Sequence, residues 1–176
     1  MTPRPVAWAA CVCLLLTLAP GPGVATARSR RPNILLITVE SLRSDRLGCY
    51  APGVKATPSI DALAGRGVRF ERAYAASPST VPSVATILTG LYPVHHGLRH
   101  DLGGRMGDDV PTLAATLARK GYRTGAVVGS FHLDSDRGLD SGFGTYDDDI
   151  PGISKTIAPL SKERRAEEVV KQFWCW

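Results

Sequence analysis

Seven consecutive residues, Asn33-Ile34-Leu35-Leu36-Ile37-Thr38-Val39, constrain this chain more than any other stretch. The run is apolar and β-rich with no alternation, so both faces of the strand it predicts need cover. Such strands belong in the middle of a parallel sheet flanked by helices. The run breaks at a polar cluster, Glu40-Ser41-Leu42-Arg43-Ser44-Asp45. In open α/β sheets, ligands bind just beyond the carboxyl ends of the strands. The Val39–Glu40 junction is therefore the first place to look for chemistry.

The rest of the chain reads as alternating helices and strands. Thr57-Pro58 opens a helix with an apolar face at Ile60, Leu63 and Ala64, closed by Gly67. Val68 to Ala75 alternates as a strand does. A second helix starts near Thr80 to Pro82 and is halted by Gly90, and a third spans Thr112 to Lys120 with Leu113, Ala114 and Leu117 inward. Tyr122 to Ser130 follows as a strand, and Ser161 to Trp174 as an amphipathic helix with Ala166, Val169, Val170 and Phe173 on one side. The expected class is α/β, a mainly parallel sheet sandwiched by helices. The ending Phe173-Trp174-Cys175-Trp176 leaves two tryptophans with nothing after them to bury against, so the fold is expected to be incomplete at its C-terminus.

Residues 1–27 carry the marks of a secretory signal: Arg4, an apolar run from Val6 to Leu18, and the small residues Ala25-Thr26-Ala27. The run is short for a membrane span and is followed by Pro20, Gly21, Pro22 and Gly23. The expectation is export to a periplasmic or extracellular space, with membrane contact only if this segment is retained. Residues 28–31 form a basic linker and residues 32–176 the domain. Removing 27 of 176 residues leaves 149, enough for a core. Only Arg4 of the 21 basic and 16 acidic residues is lost, so the net charge falls from +5 to +4. That excess is scattered and has no interleaved aromatics, which argues against nucleic acid and suits a mildly attracted anionic substrate. Cys49 and Cys175 are too few for a disulfide framework.

Two residues carry candidate chemistry. Thr80, in Thr80-Val81-Pro82-Ser83, puts a hydroxyl at a helix N-terminus, where free N–H groups and the helix dipole favour an anion. A hydroxyl becomes a nucleophile only with a base or metal beside it. Its plainer reading is a helix cap. Glu40, at the end of the apolar run, is suited to a divalent cation, and its plainer reading is a polar loop residue. Together they suit a metal-activated alkoxide.

Longer blocks resemble the sulfatase family of the alkaline phosphatase superfamily. Pro32 to Tyr50 is similar to the family's opening strand, metal-binding acid and Leu-Arg-x-Asp-x-Leu-Gly stretch. Thr57 to Ala64 with Gly67-Val68-Arg69-Phe70 is similar to its next block, and Thr80 to Pro93 with His96-Gly97 to its nucleophile block. Val110 to Ala114, Gly121 to Thr124 and Gly138 to Phe143 are similar to later ones. The resemblance implies a hydrolase of sulfuric or phosphoric esters, with Glu40 as the first metal ligand and Thr80 as both nucleophile and ligand. The cation is Ca, Mn, Zn or Mg. Asp101 falls where threonine-nucleophile members carry an Asn that contacts the substrate anion. Glu40 replaces the usual Asp, and Thr80 replaces the Cys or Ser that is oxidised to formylglycine. Threonine oxidation gives a ketone, so a formylglycine hydrate cannot form at Thr80. With Val84 at the usual Arg position, this leans toward a phosphodiesterase or phosphotransferase. The Asp-His or Asp-Asn pair that completes the superfamily's metal site has no counterpart after Pro151, so a further expectation is an inactive partial chain that at most binds. The resemblance makes His96-Gly97 a turn, Asp45 a pairing residue and Asp147-Asp148-Asp149 a surface turn.

Overall fold

The computed structural model describes residues 31–150 and 163–175. The expected signal segment, residues 1–27, and most of the 28–31 linker lie outside them. Among the described residues no helix is long and apolar enough to cross a membrane.

The described residues fall into two units that divide after Val39. The first contributes Arg31 to Val39, which is irregular rather than the expected strand. Within the described residues the run pairs with no strand, and Ile37 is 71% exposed. A strand is a property of a ladder: its N–H and C=O groups need a neighbour before the extended backbone registers as sheet.

The second unit, Glu40 to Trp176, carries the secondary structure. Its elements are α1 (Pro58–Arg66), α2 (Thr80–Thr89), α3 (Pro93–His96), α4 (Leu113–Arg119), β1 (Gly125–Val127), β2 (Thr145–Asp147) and α5 (Ala166–Trp174). β1 and β2 pair in parallel, Ala126 against Tyr146, so the chain is α/β with a parallel sheet. The expected strand over Val68 to Ala75 is absent, with Val68 84% exposed. Alternation there found no sheet to face. β2 went unread because three residues, Thr-Tyr-Asp, are too few to show a period.

α2 matches its sequence signals. Gly90 ends it at φ 72°, a left-handed conformation that glycine adopts without a Cβ clash, and its N–H bonds to Thr86 O. The cap of α4 also forms: Thr112 Oγ1 accepts from Ala115 N and donates to Ser141 O at 2.8 Å. Thr57 caps nothing with its side chain; its hydroxyl instead donates to Asp61 and accepts from Gly48 N. Leu63 on α1 and Val170 and Phe173 on α5 remain exposed, while Val169 on α5 is half-buried.

The core is small and sits under α2. Val81, Ala85, Leu98, Met106, Leu133 and Leu139 form it, with Val84, Leu88, Val110, Val128 and Tyr146 packed around. The Tyr146 hydroxyl donates to Leu133 O at 2.7 Å, which gives this half-buried group its partner. Cys49 and Cys175 are both free thiols.

Candidate functional site

α2 positions Thr80. The helix begins at Thr80 itself, with Ser79 as the capping position, so Thr80 is not the cap that its residue type suggested. Its hydroxyl donates to Glu40 Oε2 at 3.3 Å. That is long for a hydroxyl donor, a weak hydrogen bond between two groups held in place by other contacts. Forty residues separate the pair in sequence, and folding brings them together.

Glu40 stands at the start of a sharp turn. Ser41 after it has φ 55°, the one non-glycine residue with positive φ among those described. A left-handed serine costs roughly a kcal/mol or more, and such strain persists where its surroundings impose it. Here the turn swings the chain at the residue that faces Thr80. Partial burial raises the Glu40 carboxyl above the ordinary carboxylate range. The Thr80 hydrogen bond opposes that shift, Glu163 reinforces it, His132 opposes it and Asp101 adds to it. His132 and Glu163 are neighbours of Glu40 that motif reading passed over. His132 sits in the turn after β1, where Ser130 Oγ lies 3.2 Å from its Nδ1, and Glu163 bridges to Ser130. The available signal was positional: both flank the carboxyl end of a parallel strand, the place already marked as promising.

Asp101 also arrives at the site. Its Oδ1 accepts from Val81 N at 2.8 Å, on the first turn of α2. The expected open anion seat at this helix end is thus already reduced, since Pro82 has no N–H and Ser83 N bonds to Ser79 O.

The histidines divide. His96 is buried, with Nδ1 accepting from Leu98 N at 3.2 Å and Nε2 3.2 Å from Thr86 Oγ1. It locks α3 and the following turn onto α2, and Gly97 has φ 84°, as the turn reading required. His95 and His100 stay exposed. Asp45 pairs with Arg43 at 2.8 Å on the surface. Asp147 does not form a simple surface turn: it ends β2 and pairs with the buried Arg164 at 2.8 Å.

Glu40 and Thr80 are hard oxygen donors, and a partly desolvated carboxylate gains from a cation, so they fit a divalent ion in kind. They supply part of the ligand number such an ion takes. Among the described residues no group of three His, Cys, Asp or Glu side chains converges. A cleft lined by Ala126, Val127, Thr145 and Phe173 includes neither Glu40 nor Thr80.

A family model described as Sulfatase matches residues 32–163, about three quarters of the chain. The chain belongs to the sulfatase family. Arylsulfatase H of Homo sapiens is 38% identical over 117 residues, covering 60% of this chain and 21% of that protein. N-acetylgalactosamine-6-O-sulfatase of Bacteroides thetaiotaomicron is 39% identical over 109 residues, again 60% and 21%. Among solved structures, a 2-O GAG sulfatase superposes with a TM-score of 0.52 at 27% identity, covering 68% of this chain and 26% of that one. This sulfatase-family chain spans about a fifth of the length of the curated relatives it matches.

Proposed function

We propose that the protein hydrolyses sulfuric esters, with Thr80 as nucleophile and Glu40 as metal ligand and proton acceptor. The observation that carries this reading is the Thr80 hydroxyl donating to Glu40 at 3.3 Å at the head of α2. A hydroxyl already hydrogen-bonded to a carboxylate has its proton aimed at the acceptor. A divalent cation, when bound by Glu40 and Thr80 with further ligands from outside the described residues, supplies positive charge that favours the alkoxide.

The chain's own residues then divide the work. Glu40 takes the Thr80 proton as Oγ1 bonds to the ester's sulfur and the bond from sulfur to the leaving oxygen breaks. The departing alkoxide takes its proton from solvent. Water then attacks the sulfur, the Oγ1–sulfur bond breaks, Glu40 returns its proton to Oγ1, and the inorganic anion leaves as the water's proton passes to solvent. His96 and Leu98 hold the turn that brings Asp101 to α2. Asp101 was expected to meet the substrate's anion, a contact that an unprotonated carboxylate favours only beside a bound cation.

A second reading is favoured by one observation, the methyl group on the Thr80 Cβ. It rules out an aldehyde there and leaves direct attack by the hydroxyl, chemistry equally suited to phosphoric diesters or phosphoryl transfer. Both readings take an anionic ester. Residues 1–27 belong to the same proposal as an export signal, which places the substrate outside the cytoplasm.

The test compares wild type, Thr80→Ala and Thr80→Ser on aryl sulfate, aryl phosphate and aryl diester substrates with Mn, Zn, Ca or Mg. The expected result is cation-dependent turnover that Thr80→Ala abolishes and Thr80→Ser keeps in part, with the preferred ester choosing between the readings. Turnover that survives in Thr80→Ala overturns Thr80 as nucleophile. No turnover above the Thr80→Ala background on any ester overturns hydrolysis by this chain.

A further inference from the structure

α2 starts with an unusual deficit. A helix exposes four N–H groups at its head, normally met by a capping side chain or by a bound anion. Here the capping position, Ser79, makes no side-chain hydrogen bond to the helix. Pro82 has no N–H to offer, and Ser83 N is already bonded to Ser79 O at 3.2 Å. The groups left to satisfy belong to Thr80 and Val81. Val81 N is met by Asp101 Oδ1 at 2.8 Å, from twenty residues further along.

The delivery of Asp101 is built into the fold. The segment from α3 to Asp101 is fastened to α2 at two places and braced within itself at a third. His96 Nε2 meets Thr86 Oγ1, His96 Nδ1 takes the Leu98 N–H, and Leu98 is 1% exposed in the same core as Val81 and Ala85. A loop pinned in this way has little freedom to place Asp101 anywhere else.

We propose that Asp101 is a positioning residue: its carboxylate stands in for a bound anion on the first turn of α2 and holds Thr80 with its hydroxyl toward Glu40. The hydrogen bond is charge-assisted and lies along the helix dipole, both of which strengthen it. Val81 is the residue next to Thr80, so fixing its N–H fixes the turn that carries the hydroxyl. The proposal rests on Thr80 being the nucleophile, and it replaces a direct substrate contact by Asp101 with an action through α2.

The experiment measures amide exchange at Val81 and the Thr80 side-chain rotamer by NMR on the full chain, in wild type, Asp101→Ala, Asp101→Asn and Thr80→Ala. Asp101→Ala is expected to speed Val81 exchange about tenfold or more, the loss of a hydrogen bond to a charged acceptor. It is also expected to spread Thr80 over more than one rotamer. Adding sodium acetate should restore slow exchange in Asp101→Ala and leave wild type unchanged. Asp101→Asn keeps an acceptor oxygen without the charge, so it should retain most of the protection while shifting the Val81 amide proton resonance. Wild-type exchange in Asp101→Ala, or no response of that variant to acetate, overturns the proposal. If Asp101→Ala fails to fold, an Asp101→Asn spectrum with the Val81 resonance unmoved overturns it instead. Thr80→Ala leaves Val81 exchange at the wild-type rate while removing turnover. Survival of turnover in that variant therefore sinks the nucleophile and leaves the cap standing.

Discussion

His96 joins α2 to the turn that follows α3, and its burial makes that joint sensitive to pH. The imidazole is buried, and desolvation pulls its pKa below the ordinary 6.5, against smaller opposing contributions from the backbone of Pro82 and of His96 itself. Nδ1 accepts the Leu98 N–H, which requires that nitrogen to be unprotonated. The folded state therefore favours the neutral ring, and the unfolded chain binds the proton more readily. The stabilisation is complete above the unfolded value of 6.5 and is lost as pH falls from there through the folded pKa. One proton gives a slope of at most about 1.4 kcal/mol per pH unit. Between pH 6.5 and 5.0 the loss thus has a ceiling of about 2 kcal/mol. Replacing His96 by Asn removes the titration and one of the two side-chain contacts. It should cost about 1–3 kcal/mol at pH 7.5. Urea unfolding followed by circular dichroism, at several values from pH 7.5 to 5.0, gives both curves. The wild-type advantage over His96→Asn should shrink toward low pH, while every other titrating group cancels in the difference. Parallel curves, or an advantage that grows on acidification, refute the argument.

Other outcomes follow from single contacts. A Cβ at Gly142 would lie 2.1 Å from Ala115 N, at φ 85°, so Gly142→Ala should destabilise by about 2 kcal/mol or more and lower the urea midpoint. At Ser41, with φ 55°, Gly should be neutral or mildly stabilising, whereas Val should cost about 1–2 kcal/mol; equal melting temperatures for the two variants would deny the strain. Arg164→Ala empties a buried guanidinium site that bonds Asp147 and the Asp149 carbonyl. Asp147 is partly exposed and can rehydrate, so the expected cost is about 2 kcal/mol, below that of a fully buried pair, and a thermal melt within a degree of wild type would exclude it.

Local signals carried the helices well. Gly90 and the Thr112 cap fix chain ends within a few residues, so α2 and α4 were legible before any tertiary contact existed. The apolar run ending at Glu40 and the hydroxyl at the head of a helix also marked the two residues that meet in space. Strands were less legible. The pattern over Val68 to Ala75 and the run at Asn33 to Val39 describe surfaces that want cover, and neither names the neighbour that would supply it. β2, three residues long, carried no pattern at all.

Residue types alone thus determined the family, the class and the kinds of group available for chemistry, because these depend on order along the chain. Only the tertiary structure decided that Thr80 faces Glu40 rather than capping its own helix, and that Asp101 takes the Val81 N–H. It also brought His132 and Glu163 to bear on Glu40. Each of those facts joins groups from 20 to more than 120 residues apart in sequence. Charge and hydrogen bonding act over a few ångströms of space, whatever the number of peptide bonds between the groups, so no local pattern could have announced them.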